Sequence, residues 1–227
     1  SDMDNVNDFF ATLSSCLWGW PMIVLLLGTH IFLTIRLRFP QRKIITAIRL
    51  SVQRDKSQKG DVSQFGALAT ALAATIGTGN IIGVATAVAL GGPGAVFWCW
   101  LTGVFGISTK YSEALLAIKY RVKSERGLMQ GGPMYTLERG LGWRKMGILF
   151  ALFTAIAAFG IGCTVQANAI STIMHASYGI STEVSGGVLM LLAAAVIIGG
   201  VRSISKVCSM LVPFMALLYG VGCVYIL

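Results

Sequence analysis

The sequence carries few charged residues for its length. Only 12% of its 227 residues are Asp, Glu, Lys or Arg, whereas 55% are hydrophobic and the mean hydropathy is +0.74. Soluble domains have roughly twice that charged fraction, about 25%. The composition therefore argues against a water-soluble fold and favours a membrane protein.

The residues that build many catalytic and metal sites are also scarce. The sequence has two histidines, and its five cysteines form no CxxC pair and have no histidine nearby. It lacks the HExxH and GxSxG motifs, and it has no pair of carboxylates at membrane depth. The sequence thus predicts that the protein is not an enzyme.

What the sequence does have is six long apolar runs. A helix crosses the ~30 Å hydrocarbon core with about 20 residues, and unbroken runs favour helices over barrel strands. We predict a single all-α transmembrane domain over residues 1–227, with about six membrane-spanning helices. The runs lie approximately at 16–35, 65–90, 95–118, 146–174, 185–201 and 207–227.

The basic residues predict how the chain is oriented. All 18 Lys and Arg lie within 36–59, within 110–145, or at Arg202 and Lys206. Six spans would place these groups on one side of the membrane, and cytoplasmic loops carry the excess of Lys and Arg. We therefore expect a multi-pass protein of the cell membrane with its N-terminus outside. Charges that flank apolar helices also argue against a nucleic-acid partner.

The first 64 residues divide into an outer tail (1–15), a first helix (16–35) and an inner basic connector (36–64). The connector contains apolar residues with helical spacing, at Ile44, Ile48 and Val52. Two interpretations fit this pattern: an amphipathic helix along the inner membrane surface, or an ordinary solvated connector.

The run 65–90 is interrupted by the polar sequence GTGN at 77–80. The preceding residues, Phe65–Ile76, span about 18 Å as a helix, which places the interruption near the bilayer midplane. Unpaired backbone groups there cost several kcal/mol each unless they face protein, water or a ligand. Secondary transporters use such interrupted helices to bind anionic substrates and cations. We predict that helical hydrogen bonding breaks between Thr75 and Asn80.

Two alternatives remain for this segment. Gly79 and Gly83 could form a GxxxG surface for a neighbouring helix, but that leaves Gly77, Thr78 and Asn80 without a role. A Gly-Thr-Gly loop could instead line a channel filter, although here it interrupts a helix.

The segment TIGTGNIIGVATAVALGGPGAVFWCW, residues 75–100, resembles the signature of the alanine or glycine:cation symporter family. The similarity covers about residues 18–227. Further matches follow in order: KYSE at 110–113, KYR at 119–121, GGPMY at 131–135, QAN at 166–168 and VPFM at 212–215.

The resemblance implies a LeuT-type fold, in which an additional helix precedes two inverted repeats of five helices. The chain would then hold the extra helix (16–35) and the first inverted repeat (65–227), with a broken first core helix and the second repeat absent. Its partners would be a small amino acid, sodium, the bilayer, and the missing half or a second chain. We expect that this N-terminal half alone does not transport, because it supplies only part of each binding site.

The resemblance also implies a function: a sodium-coupled symporter that imports alanine or glycine, with sodium as the co-transported ion. A non-transporting subunit or fragment and an ion channel remain the alternatives. The implied substrate contacts are Gly77, Thr78, Gly79 and Gln166, and the implied sodium ligands are Thr75 and Asn80.

A second amide, Asn168, follows Gln166 two positions later. The two side chains are about 200° apart around a helix, so both should not face one small site. Asn168 lines up with Thr164 and Thr172, which predicts helix–helix hydrogen bonding instead.

Overall fold

The computed structural model is helical over most of its length and describes residues 2–53, 61–125 and 127–226. The N-terminal part contains α1 (Asp2–Leu17), α2 (Trp20–Arg36), a 3₁₀ turn (Pro40–Lys43) and α3 (Ile44–Val52). After residue 60 follow α4 (Gln64–Thr75), a π-helical segment (Gly79–Gly83), α5 (Val84–Gly91), α6 (Gly94–Lys119), β1 (Val122–Lys123), β2 (Met129–Gln130), α7 (Pro133–Tyr135), a second π-helical segment (Thr136–Gly140), α8 (Arg144–Ala157), a third π-helical segment (Ala158–Thr164), α9 (Val165–Tyr178), α10 (Thr182–Ile197) and α11 (Gly200–Ile226). The two short strands pair antiparallel.

Among the described residues, three helical stretches are long and apolar enough to cross a membrane: Asn5–Arg36, Arg144–Tyr178 and Gly200–Ile226. A fourth span is formed if Gln64–Thr75 and Gly79–Gly91 are taken as one bent pair. Helices cover most of all six predicted apolar runs. The fold is therefore that of an all-α protein with three or four candidate membrane spans, and the remaining spans stay a prediction.

Helical structure begins earlier than the predicted first span. The segment predicted as an outer tail is helical from Asp2, and a turn at Trp18 and Gly19 separates α1 from α2. The reason lies in the spacing of the apolar residues of the tail. Val6, Phe9 and Leu13 recur at helical intervals, which gives α1 an apolar stripe.

α2 ends in a chain reversal that usually requires glycine. Arg38 and Phe39 have φ of 55° and 59°, in the left-handed region, which costs an L residue roughly 1–2 kcal/mol. The N–H of Arg38 donates to the Ile35 carbonyl (3.1 Å), and the N–H of Phe39 donates to the Thr34 carbonyl (2.9 Å). These two bonds are the pairing of a Schellman motif, formed here without glycine.

The basic connector is helical over Ile44–Val52, which supports the helical interpretation of that segment. Ile45 and Ile48 on this helix are 83% and 60% exposed. Residues 54–60 of the connector lie outside the described residues. The location of α3 along a membrane surface stays a prediction.

α2 packs against α6 around a buried polar cluster. Thr34 and Ser108 are 1% and 0% exposed, and their hydroxyl oxygens are 2.8 Å apart. Gln41 Nε2 donates to Ser108 Oγ at 2.9 Å, and His30 Nδ1 lies 2.6 Å from Thr109 Oγ1. Sliding or turning α2 against α6 would leave buried polar groups unpaired, so the cluster fixes the register of the two helices.

The two halves of the bent pair pack on different neighbours: α4 lies against α11, and α5 lies against α6. The contact between α4 and α11 is close, because a Cβ on Gly66 would clash with the Ser205 hydroxyl of α11. Ser63 caps α4 by accepting a hydrogen bond from the Gly66 N–H at 3.0 Å. Small residues at this crossing allow the helices to approach.

Candidate functional site

The apolar helix that begins at Gln64 is broken near its middle. α4 ends at Thr75, and its last backbone hydrogen bond runs from the Ile76 N–H to the Leu72 carbonyl at 2.8 Å. Helical structure resumes as the π-helical segment, and the two halves are bent by 53°. The predicted break between Thr75 and Asn80 is therefore confirmed.

Two side-chain amides accept hydrogen bonds from the backbone N–H groups at the break. The Gly77 N–H donates to Asn80 Oδ1, and the Thr78 N–H donates to Gln166 Oε1, each at 3.3 Å. Gln166 comes from α9, 88 positions further along the chain. The structure thus brings Gln166 to the glycine-rich break through a hydrogen bond that the sequence did not predict.

The end of α4 presents carbonyl groups without helical partners. In a continuous helix the Ala73 and Ala74 carbonyls would accept from Gly77 and Thr78, but those N–H groups bond to side chains. Within the described residues, the Ala73 carbonyl receives no hydrogen bond from Gly77, and the Thr78 N–H that would pair with the Ala74 carbonyl donates to Gln166 instead. Such carbonyls carry partial negative charge and are available to a cation.

A cleft of about 510 Å³ lies between the broken helix and α9. Three of the predicted substrate contacts, Thr78, Gly79 and Gln166, line it. Its other lining residues, none of which the sequence predicted as a substrate contact, are Ile82, Gly83, Ile161, Val165, Asn168, Ala169, Thr172 and Ile173. The cleft is therefore mainly apolar, with a few polar groups near the break.

The two predicted sodium ligands are not part of the lining of this cleft. Thr75 Oγ1 donates to the Ala71 carbonyl at 2.7 Å, and Asn80 Oδ1 accepts from Gly77. In the described part of the chain, no three His, Cys, Asp or Glu side chains come together as metal ligands. A cation at the break would therefore be held by neutral carbonyl, hydroxyl and amide oxygens.

Asn168 lies at the cleft, although the helical spacing predicted that it would face away from the site. It lines the same cleft as Gln166, because a cleft of this size surrounds more of α9 than a small contact site would. Its side chain makes no hydrogen bond within the described residues, so the predicted helix–helix bond is absent there. Thr172 instead donates to the Asn168 carbonyl of its own helix at 2.8 Å.

Two π-helical segments border the cleft, and neither was predicted. Gly79–Gly83 follows the break, and Ala158–Thr164 joins α8 to α9 just before Gln166. π-Helical turns often occur at functional sites. Their glycine-containing sequences, GNIIG and AFGIGCT, give only a weak signal because similar sequences also form ordinary membrane helices.

An interrupted apolar helix with free end carbonyls, beside a largely apolar cleft, is the arrangement of a substrate site in a secondary transporter. The helical fold and the broken helix together are typical of membrane-transport proteins. In agreement with this, the chain matches the sodium:alanine symporter family over residues 3–227. The chain belongs to this family.

Individual relatives carry names of the same kind. The chain is 54% identical over 215 residues to the sodium/alanine symporter AgcS of Methanococcus maripaludis, covering 92% of this chain and 48% of that protein. It is 51% identical over 216 residues to an uncharacterized transporter of Haemophilus influenzae, with coverage of 94% and 47%. It is 38% identical over 205 residues to the probable sodium/glutamine symporter GlnT of Bacillus subtilis, with coverage of 89% and 43%. The chain spans about half the length of the curated relatives it matches.

Proposed function

We propose that this chain provides the broken-helix side of the substrate site in a sodium-coupled symporter that imports alanine or glycine across the cell membrane. The observation that carries the proposal is the contact of Gln166 with the backbone of Thr78, beside the cleft. The name of the AgcS relative supports sodium and alanine. The name of the GlnT relative indicates that substrates differ within the family.

The substrate carboxylate binds at the N–H groups of Gly77 and Thr78. Both N–H groups are now paired with amide oxygens at 3.3 Å, which is long for an N–H···O hydrogen bond. A carboxylate makes shorter, charge-assisted bonds of about 2.7–2.9 Å that are roughly twice as strong. It therefore displaces the two side-chain amides and leaves Gln166 free to contact the substrate through its own N–H₂ group.

Sodium binds at the end of α4, to the carbonyls of Ala73, Ala74 and Thr75. When the carboxylate takes the Gly77 N–H, Asn80 Oδ1 loses its donor and becomes available as a further sodium ligand. Each ligand then favours binding of the other, which is the thermodynamic requirement for coupling. In this mechanism Thr75 and Asn80 act on the ion, and Gly77, Thr78, Gly79 and Gln166 act on the amino acid.

The ion must supply the driving force for accumulation. A substrate of about six heavy atoms, at a ceiling of ~1.5 kcal/mol per atom, does not bind much more tightly than micromolar. One net charge crossing ~100 mV supplies about 2.3 kcal/mol, which supports a gradient of roughly fiftyfold. Coupling to sodium therefore accounts for uphill import of so small a substrate.

The membrane arrangement is part of the same proposal. The chain forms six spans of a LeuT-type fold, the extra helix and the first inverted repeat, with the N-terminus outside. The distribution of Lys and Arg along the sequence supports this orientation. The 53° bend supports the broken first core helix.

Uptake in proteoliposomes containing the full-length gene product tests the function. An inward sodium gradient should drive accumulation of labelled alanine, and replacing sodium with potassium should abolish it. Unlabelled glycine and glutamine, added separately, show which amino acids compete. Saturable countertransport distinguishes a symporter from a channel, and a lack of sodium-dependent accumulation would refute the proposal in favour of a non-transporting subunit.

A further inference from the structure

A second cavity, also of about 510 Å³, lies where α2 meets the 3₁₀ turn, next to α3 and α6. Its lining includes three cationic side chains, Arg38, Arg42 and Lys43. Tyr111 and a set of apolar side chains, with Ile107 among them, form the remainder, and no acidic side chain contributes to the described lining. The cavity is therefore basic and apolar at the same time.

Among the residues that the structure describes, the three cations have no carboxylate partner. Within the described residues, the ion pairs join Lys110 to Glu113 and Arg144 to Glu138, and none involves residues 38–43. Arg42 lies 5.4 Å from the centre of the Phe39 ring, a cation–π contact that leaves its N–H donors free. Unpaired cations around one cavity produce a positive potential that attracts anions.

The backbone at Arg38 adds an independent observation. Arg38 stands at the left-handed position of a helix-ending motif that favours glycine. Glycine would remove the steric strain, so an arginine at this position is held in a disfavoured conformation beside the cavity. Strain of this kind is concentrated at ligand-binding sites.

The position of the cavity indicates what kind of anion it suits. It lies at the basic C-terminal end of a candidate span, Asn5–Arg36, and beside α3, whose Ile45 and Ile48 are exposed. An amphipathic helix next to the end of a membrane span belongs at the boundary between headgroups and acyl chains. A ligand there meets phosphate-binding cations on one side and hydrocarbon on the other.

We propose that this cavity binds an anionic phospholipid. Its phosphate contacts Arg38, Arg42 and Lys43, and its acyl chain lies along the apolar lining near Ile107. Inorganic phosphate would leave that lining uncovered, and a zwitterionic lipid would place a quaternary ammonium group near three cations. Basic pockets at the ends of membrane helices suit anionic headgroups for the same electrostatic reason.

Thermal unfolding of the purified full-length protein in neutral detergent tests the proposal. Phosphatidylglycerol should raise the unfolding midpoint in a concentration-dependent manner, whereas phosphatidylcholine and inorganic phosphate should not. The triple variant Arg38→Gln, Arg42→Gln, Lys43→Gln should weaken the apparent affinity roughly fivefold per cation, on the order of a hundredfold in all. Arg49→Gln, on α3 but outside the cavity, is the matched control and should respond like the unaltered protein.

A single substitution separates binding from folding. Arg38→Gly removes one cation and also relieves the left-handed strain, so the midpoint without lipid should stay equal or rise while the response to phosphatidylglycerol weakens. If Arg38 had only a structural role, Arg38→Gly would instead lower the unfolding midpoint and leave the response to phosphatidylglycerol unchanged.

Four other results would overturn the proposal. No shift with phosphatidylglycerol in the unaltered protein would mean that the cavity does not take this lipid. An equal shift with inorganic phosphate would indicate a free-anion site, and an equal shift with phosphatidylcholine would indicate unselective lipid contact. A full response in the triple variant would place the binding site elsewhere.

Discussion

Replacing Gly77 with alanine tests whether the contact between the break and Gln166 controls substrate binding. A Cβ on Gly77 would lie 3.1 Å from Gln166 Nε2 and 3.5 Å from Oε1. The shorter distance is tighter than nine in ten real Cβ contacts, so the amide has to move by a few tenths of an ångström. Gly77 is not among the glycines with positive φ, so the backbone itself accepts alanine.

The expected magnitude follows from the hydrogen bond that this movement disrupts. The Thr78 N–H to Gln166 Oε1 distance is already 3.3 Å, and any shift of the amide weakens the bond further. Loss of one such bond costs about 0.5–1.5 kcal/mol. In the proposed mechanism the substrate carboxylate displaces Gln166 from the Thr78 N–H, so weakening this bond removes a competitor of the substrate. The apparent KM for alanine should therefore fall roughly twofold to tenfold.

A double-mutant cycle in the uptake assay measures the coupling directly. Gly77→Ala, Gln166→Ala and the double variant are compared at matched expression, and the effect of Gly77→Ala should nearly vanish when Gln166 is absent. The coupling should be about 0.5–1.5 kcal/mol. Gly28→Ala in α2, where an added Cβ meets nothing within 4 Å, controls for a general effect of alanine. Free-energy effects of the two substitutions that add within ~0.3 kcal/mol would refute the reasoning.

Three further predictions concern uptake, stability and orientation. Gln166→Ala should reduce alanine uptake more than Asn168→Ala, since of these two side chains the structure shows only Gln166 bonded to the break; equal or reversed losses at matched expression would contradict this. Gly66→Ala should lower the free energy of unfolding by about 1–3 kcal/mol, seen as a reduced thermal midpoint, because the added Cβ overpacks the contact between α4 and α11. In a cysteine-free background, an impermeant maleimide should label Asn5→Cys but not Ser124→Cys in intact cells, and the reverse pattern would invert the proposed topology.

The broken helix was predictable from the sequence because backbone groups inside a membrane must be paired. Glycines and an asparagine at midplane depth leave few ways to satisfy the backbone in a membrane. The participation of Gln166 followed only from the resemblance. Its bond to Thr78 joins residues 88 positions apart, and local patterns carry no information about such a contact.

Other features were not predictable because tertiary contacts determine them. Nothing in the local sequence around Gln41 indicates that it bonds to Ser108, 67 positions away. The left-handed turn at Arg38 and Phe39 goes against the glycine preference on which turn prediction depends. The π-helical segments were not predictable either, because residue propensities do not distinguish a π-helical turn from an α-helical one.

The different packing partners of α4 and α5 have a mechanical consequence. The break at residues 76–77 acts as a joint between two arms, α4 and α5. α4 packs on α11 at Gly66, and α5 packs on α6, which the polar cluster fixes to α2. α9 contacts α10, which in turn contacts α11, so the two walls of the cleft are supported from opposite arms. A change of the angle at the joint would therefore widen or narrow the cleft without separating α4 from α11 or α5 from α6. The hydrogen bond between Thr78 and Gln166 joins the two walls of the cleft.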